Sequence, residues 1–358
     1  MTGDGRRIGP GMTRRQAMAA AGLLAALPLA APAPARARPF GPADWHDYAR
    51  RFLTADGRIV DTGNKGVSHS EGQGYGMLLA VAADDRAAFD RLWEWTRRTL
   101  MVRDDGLVAW RWQPEGGVSD RNNASDGDIL IAWALLRAAD RWKADAYRTA
   151  AAAIVKALAA GVVAEQAGMT VLLPGRDGFR KPNGLILNPS YWVFPALRAF
   201  AALPDGGVWN RVLDSGLVLL AKARFGGYQL PPDWLLLDAK GGVALADGFR
   251  KQYGYDAVRV PLYLAWDGFR DPYYFRPFAA LAAKYGSGAL PATVSLPGGT
   301  TAQVPASVGM MAVYRLAAAV AGGGPAVTVP PPAADEDYYS TTLLHLSALA
   351  AQSLGIDP

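Results

Sequence analysis

The sequence predicts a mostly helical protein built as one domain, and three observations carry that expectation. Apolar residues recur at helical spacing along nearly all of the chain after residue 40. Many of the segments so marked are joined by brief Gly/Pro/Asp turns, such as Leu203-Pro204-Asp205-Gly206-Gly207, and short links favour antiparallel neighbours. No boundary divides the 358 residues, 51% of them hydrophobic, into two cores. Periodicity by itself leaves a closed helical barrel and an open array equally allowed.

The first 37 residues stand apart. Thr13-Arg14-Arg15-Gln16 precedes an apolar run over 17–31, and Ala35-Arg36-Ala37 offers a small-x-small cleavage site. The paired arginines point to the twin-arginine route, with ordinary secretion as the alternative. For a retained membrane anchor the run is short and rich in alanine and proline. The expectation is a cleavable export signal at 1–37, a domain at 38–358 and a periplasmic or secreted protein. Candidate helices then follow at 42–54, 71–83, 86–100, 127–142, 144–160, 189–203, 206–223, 256–267, 271–285, 306–321 and 338–353, and a short element could add a twelfth. Between them lie aromatic, β-like segments at 107–112, 172–178 and 225–234, the kind of loop on which functional groups sit. The Pro/Gly-rich stretch at 322–334 reads as a long loop, since only one helix follows it.

Composition removes several chemistries. With no cysteine there is no disulfide, thiolate nucleophile or Cys-based metal site. His46, His69 and His345 are not spaced as a metal pair, and a Ser-His-Asp triad would need one of them. His69 lies near Glu71 on the loop side and reads as a polar or capping residue. The net charge of +5 is partly local, because Arg6, Arg7, Arg14, Arg15, Arg36 and Arg38 crowd the N-terminus. No Lys/Arg stripe follows, so nucleic acid is not an expected partner.

Three acidic sites remain. In Ser70-Glu71-Gly72-Gln73 a capping box is one reading, with Ser70 as cap and Gln73 reaching back. That reading leaves Gly72, Gly74 and Gly76 unexplained, each costing a helix about 1 kcal/mol against alanine. Glycines are expected where a backbone must approach something closely. Glu71 would then be crowded against Tyr75 and Met77, and desolvation would keep it protonated, as a general acid requires. In Asn123-Ala124-Ser125-Asp126-Gly127-Asp128 two carboxylates stand one residue apart where a polar loop becomes an apolar helix. A cap accounts for one of them, and the helix dipole would hold it ionised, suiting a base or a group that binds sugar hydroxyls. Asp256 lies three residues before Arg259, either as an ordinary surface pair or as a carboxylate kept charged by arginine. Pro261 would kink a helix starting at Asp256 or mark one starting later. Among eleven tryptophans, Trp110, Trp112 and Trp234 lie in loop-like segments where their faces could stack on sugar rings. Tyr191 and Tyr255 could donate hydrogen bonds near the acids. Paired carboxylates of this kind are the usual equipment for cutting glycosidic bonds.

Residues 124–142, Ala-Ser-Asp-Gly-Asp-Ile-Leu-Ile-Ala-Trp-Ala-Leu-Leu-Arg-Ala-Ala-Asp-Arg-Trp, resemble the signature of family 8 glycoside hydrolases. The segment at 70–77 resembles that family's general-acid segment, and Tyr255-Asp256-Ala257-Val258-Arg259 its general-base segment. The W-x-W, L-L-P-G, N-P-S-Y and P-D-W segments look most like the endoglucanases of bacterial cellulose-synthase operons, and the similarity runs over about 40–355. The resemblance implies an all-α, (α/α)6 barrel with a cleft across one end, and inverting hydrolysis of a β-1,4-glucan. It makes Glu71 the proton donor, Asp256 the base, and Asp126 the aspartate that holds the distorted sugar. Tyr191, Tyr255 and Arg259 match residues near the attacking water and the central subsite, and Asp128 joins the expected substrate-binding set. Inversion asks for acid and base carboxyls about 6.5–9.5 Å apart. No metal or organic cofactor is implied. The implied partner is a β-1,4-glucan chain, nascent cellulose included, with a membrane cellulose synthase complex as a transient neighbour. Xylan, chitosan or mixed-linkage glucan are alternative substrates. A non-catalytic glucan-binding protein is the alternative of another class, and a lyase on a helical toroid a third.

Overall fold

The computed structural model describes residues 39–285, 290–322 and 329–356, and the expected export signal at 1–37 lies outside them. Eleven α-helices occur among the described residues: α1 Pro42–Phe52, α2 Ser70–Ala82, α3 Arg86–Thr99, α4 Ser125–Trp142, α5 Asp145–Gly161, α6 Phe194–Ala201, α7 Gly207–Lys222, α8 Arg259–Trp266, α9 Pro272–Tyr285, α10 Val308–Val320 and α11 Tyr338–Leu354. Each answers to one of the eleven expected segments. Two begin later than their pattern suggests. Asn188 caps a single 3-10 turn, Pro189–Tyr191, by accepting from the Ser190 N–H, and the chain bends before α6 starts. At α8 the helix begins with Arg259, which puts Pro261 in a first turn that needs no N–H from it.

The helices close into a ring. Contacts run from α2 to α4, α6, α8, α10, α11 and back to α2. Those six form the inner wall of a barrel, and that decides the question periodicity left open. Burial separates the two layers. Eleven of the thirteen α2 residues named as its helix are buried, from Ser70 to Val81 with only Glu71 omitted, as befits a helix enclosed on all sides. By contrast α3 buries one stripe, Ala88, Phe89, Leu92, Trp95 and Thr96, at helical spacing. The outer helices α3, α5, α7 and α9 pack on the inner helices they follow, and α1 covers α11. No helix among the described residues fills the sixth outer position, between α10 and α11. That stretch holds Gly322 and the run Pro330-Pro331-Pro332, which lacks the N–H donors a helix requires.

Among the described residues, eleven short strands lie in the connections between helices. They are β1 Ser68–His69, β2 Ala109–Gln113, β3 Gly117–Asn123, β4 Val163–Gln166, β5 Met169–Leu172, β6 Arg180–Lys181, β7 Gly184–Leu187, β8 Leu235–Leu237, β9 Val243–Leu245, β10 Gln252–Tyr253 and β11 Val294–Ser295. Antiparallel pairing of β1 with β2 and of β2 with β3 ties the start of α2 to the start of α4, with Ser68 opposite Trp112. The strands β10 and β11 pair just ahead of α8.

Glycines set the spacing of this wall. A Cβ on Gly74 would stand 2.5 Å from the Leu130 Cβ, and one on Gly127 would run into the Ser70 side chain and the Glu71 backbone. The close approach expected at Gly74 is therefore helix against helix, and Gly127 adds a second such contact from α4. It brings the first turns of α2 and α4 into contact and sets Glu71 beside Asp126.

Candidate active site

The first turns of α2, α4, α8 and α11, together with Tyr191, face one cleft of about 550 Å³. Glu71, Asp126, Tyr191, Tyr255, Asp256 and Arg259 all line it. Three acidic residues separated by 185 positions in sequence thus converge at one end of the barrel, because each sits where a strand or turn enters an inner helix.

Arg259 is the hub. Its side chain is 3% exposed, which rules out the surface-pair reading. Nη2 donates to Asp256 Oδ1 at 2.9 Å and to Ser190 Oγ at 3.0 Å. Nη1 pairs with Glu71 Oε1, lies 3.6 Å from Asp126 Oδ2 and donates to the Tyr75 hydroxyl at 3.3 Å. One guanidinium therefore links three carboxylates. Its planar fork suits this, since its donors are fixed in direction and never lose their charge. Glu71 also accepts from the Tyr75 hydroxyl at 3.2 Å, and Tyr75 in turn shares a 2.6 Å hydrogen bond with Tyr263. Met77, expected beside Glu71, is instead fully buried in the core.

The capping box at 70–73 does not form. His69 is the cap: its Nδ1 accepts from the Gly72 N–H at 3.0 Å, while Nε2 lies 3.3 Å from Asp61 Oδ2. Ser70 Oγ is buried without a hydrogen-bond partner. Gln73 turns inward, accepting from the Ile59 N–H at 2.7 Å and donating to Thr96 Oγ1 at 3.0 Å. An inner helix has no solvent face on which Gln73 could reach back.

The charge state expected of Asp126 also needs correcting. Burial pushes its carboxyl up to about 7, against the Gly127 N–H and nearby His69, so desolvation outweighs the helix start. Asp128 rises to about 7 for the same reason. Asp128 is not a cleft residue. It is fully buried, Oδ1 accepts from the Val108 N–H at 2.7 Å, and Oδ2 accepts from Asn123 Nδ2 at 2.8 Å. The two oxygens pin Val108, just ahead of β2, and Asn123 of β3 to α4, which leaves neither for substrate.

Burial, then the like charges of Asp233 and Asp126, push the Asp256 carboxyl well above the usual carboxylate range, so the arginine beside it does not keep it low. The side chain keeps 31% exposure, and solvent tempers the burial part of that shift. The Trp234 indole and the Asn188 amide oppose it. Asn188 Nδ2 approaches without completing a hydrogen bond. Burial also holds Tyr191, Tyr339 and Tyr75 protonated, leaving their hydroxyls as donors.

The three tryptophans divide. Trp110 lines the cleft. Trp112 does not offer a free face: the Arg58 guanidinium lies 4.7 Å over its ring and Trp95 packs edge-on at 5.8 Å. Trp234 is stacked with Phe249 at 4.4 Å and Phe179 at 5.9 Å, so it meets the site through its N–H rather than its face. Tyr255 is 48% exposed at the rim, near Tyr339. The sequence reading passed over Asp61, Tyr339, Asp337 and Asp233. Asp337 and Tyr339 had a signal, because Asp337 caps α11 by accepting from the Ser340 N–H, and the other cleft acids also mark helix starts. Among the described residues no group of three His, Asp or Glu is placed to hold a metal ion.

The model of glycosyl hydrolases family 8 matches residues 12–353. An endoglucanase of Cellulomonas uda is 46% identical over 224 residues, which cover 62% of this chain and 62% of that one. A probable endoglucanase of Novacetimonas hansenii is 40% identical over 75% of this chain and 80% of its own. Among solved structures, the family 8 endoglucanase Cel10 of Klebsiella pneumoniae superposes with a TM-score of 0.81 at 41% identity, covering 87% of this chain and 99% of that one. The endo-β-1,4-glucanase CMCax of Acetobacter xylinum gives 0.80 at 36% identity, with 90% and 100% covered. With a family match over nearly its whole length and an acid-lined cleft at one end of an (α/α)6 barrel, the chain belongs to glycosyl hydrolases family 8 and is a glycoside hydrolase.

Proposed function

We propose that this hydrolase is an endo-β-1,4-glucanase that cuts internal bonds of cellulose or a related β-glucan with inversion. The observation that carries the reading is the single guanidinium of Arg259 shared by Glu71, Asp126 and Asp256 in an open cleft. Endoglucanase relatives at 40% identity and above support the substrate class.

In this reading Glu71 protonates the leaving oxygen. Before substrate binds it is paired with Arg259, so an entering sugar has to part the two and let Glu71 take up its proton. Asp256 removes a proton from water on the far side of the sugar. It grips Nη2 while Glu71 grips Nη1, so the two carboxyls meet different nitrogens of one guanidinium. Asp126, buried and in reach of Arg259, holds the ring at the cleavage point. Trp110 and Tyr255 extend the contact along the cleft.

Glu71→Gln removes the proton donor. Reducing ends released from carboxymethylcellulose should fall by about 10²–10⁴-fold while the protein still binds the polymer. Silence in both proteins overturns the enzyme assignment in favour of a binding protein, and equal turnover in both removes Glu71 as the proton donor. Product configuration on a cello-oligosaccharide, followed by NMR, reads inversion directly. Unsaturated products absorbing in the ultraviolet would mean a lyase instead.

A neutral glucan fits the cleft better than chitosan. The additional cleft acids, Asp61 and Asp337, are engaged by the protein: Asp61 accepts from the Gly63 N–H and faces His69, and Asp337 caps α11. The reading extends to an exported enzyme acting on nascent cellulose beside a membrane synthase complex. Its support is the pattern at 13–37. Replacing Arg14 and Arg15 together by lysine and following the protein by cell fractionation tests the export route. Retention in the cytoplasm is the expected result, and unchanged export removes the twin-arginine route.

A further inference from the structure

Asp233 is a buried acid that the mechanism above leaves unused. It is 4% exposed and stands in the Pro-Asp-Trp segment, one residue before Trp234. Its Oδ1 accepts from the Gly254 N–H and the Ala257 N–H, each at 2.9 Å, and its Oδ2 accepts from Gln252 Nε2 at 3.0 Å. The Asp233 N–H returns a 2.8 Å bond to the Gln252 carbonyl. These contacts enclose the turn 252–257, which is the segment that presents Asp256 to the cleft. Gly254 is part of the fit, since a Cβ there would lie 2.9 Å from Asp233 Oδ2.

The donor set favours the ionised form of this carboxyl. Each of its side-chain partners is an N–H, and taking up a proton would cost the carboxyl one of those bonds. Burial pushes Asp233 up, and the Ala257, Gly254 and Asp256 backbone N–H groups and the Gln252 amide pull it back. Among the described residues no arginine, lysine or histidine pairs with it. Its negative charge therefore stands uncancelled behind Asp256. Other elements also set charges or titrating groups around Asp256: Arg259 on α8, Asp126 on α4, Tyr191 in the 3-10 turn, Tyr339 on α11, and Glu71 on α2 through the shared guanidinium.

We propose that Asp233 is the positioning residue of the base side: its ionised carboxylate fixes the turn that presents Asp256, and its charge sets the pH at which Asp256 becomes free to accept a proton from water. The inference rests on reading Asp256 as the base. A base works only when ionised, so kcat/KM falls as pH drops through its pKa in the free enzyme. A second negative charge nearby makes Asp256 harder to ionise and places that acid limb at higher pH. Removing the charge should move the limb to lower pH.

Asp233→Asn is the test, because its Oδ1 can still accept from Gly254 and Ala257, and a flipped Gln252 amide can offer Oε1 to the new Nδ2. The measurement is the pH profile of kcat/KM on a soluble cello-oligosaccharide. At the pH where wild type has fallen to half its plateau, Asp233→Asn should keep clearly more than half of its own plateau. A residue that only braced the turn would lower the plateau and leave the limb in place. An unmoved limb, or one moved to higher pH, overturns the proposal. Asp256→Asn, assayed alongside, tests the reading beneath it: an active Asp256→Asn protein removes Asp256 as base whatever Asp233 does. If Asp233→Asn does not fold, the carboxyl-¹³C resonances of Asp-labelled wild type decide. Asp233 should still be ionised at the pH where Asp256 takes its proton, and the reverse order overturns the proposal.

Discussion

The Glu71 side and the Asp256 side of the cleft are built by opposite means. Glu71 occupies the first turn of α2, a thirteen-residue helix enclosed by the barrel and locked to α4 through Gly74 and Gly127. Asp256 stands on a turn ahead of α8, an eight-residue helix, and is held by polar groups: Arg259, the Trp234 indole and the turn braced by Asp233. Helix packing places the turn that carries Glu71, and hydrogen bonding places the turn that carries Asp256. Close-packed helices respond to volume, because interiors transmit strain. A buried polar network responds to charge and pH, because its energies depend on who is ionised. The two sides should therefore break differently.

Removing either carboxyl gives the largest effect, and small anions separate the two. Asp256→Ala should lose about 10²–10⁴-fold in kcat, and azide should restore part of it by taking the place of the lost base. Glu71→Ala should show no such rescue on a substrate with a poor leaving group, since azide supplies no proton. Rescue of Asp126→Ala in place of Asp256→Ala would exchange the roles of those two aspartates.

Volume should strike the Glu71 side next. Gly127→Ala puts a methyl group against the Ser70 side chain and the Glu71 backbone. Overpacking of this kind costs about 1–3 kcal/mol, and here it displaces the turn that carries Glu71. Both the unfolding midpoint in denaturant and kcat should fall. Gly168, with open space around its Cβ position but a left-handed backbone, lies away from the cleft, and an alanine there should lower stability alone.

A smaller effect, one of pH, comes from the buried acids beneath the cleft. Asp128 has an ordinary value of 3.8 and is raised by burial to about 7. Below 3.8 both folded and unfolded chains hold its proton. Between 3.8 and about 7 only the folded chain does, so stability present at the lower pH is lost as pH rises across that window. Asp128→Asn removes this titration. Its thermal midpoint should vary less between pH 4 and 7 than that of wild type, measured by calorimetry in matched buffers.

Much of this fold is legible in the sequence, and the exceptions share a cause. Apolar spacing locates all eleven helices of the described residues, because outer elements such as α3 show one apolar stripe, while inner ones such as α2 and α4 carry apolar runs at 77–81 and 129–136 after polar first turns. The ends of helices are harder. Ser70 and Gln73 have the residue types of a capping box, yet ring closure buries both and hands the cap to His69. Asp128 is the same kind of case: it sits two residues from Asp126 at a helix start, and the helix turns it inward toward Val108 and Asn123. Asp126 faces the cleft, but its expected charge failed because a local rule about dipoles cannot register how deeply a tertiary structure buries the group. Asp233 left no local mark as a bracing residue, since its partners lie 19 to 24 positions away.

The two tryptophans of the W-x-W segment give the finest contrast, because they stand two residues apart on one strand. Side chains at i and i+2 share a face of a strand, yet β2 shifts register against β3 between Ala109 and Arg111 and again between Arg111 and Trp112. That irregularity lets Trp110 line the cleft while Trp112 packs under Arg58 and against Trp95. Trp110→Ala should raise KM about five-fold, the equivalent of one aromatic contact of about 1 kcal/mol, and leave the unfolding midpoint nearly unchanged. Trp112→Ala should do the reverse, keeping KM and losing stability through the cavity it leaves beside Trp95. Equal KM increases in the two variants would mean that Trp112 turns its face to the glucan when the cleft is filled.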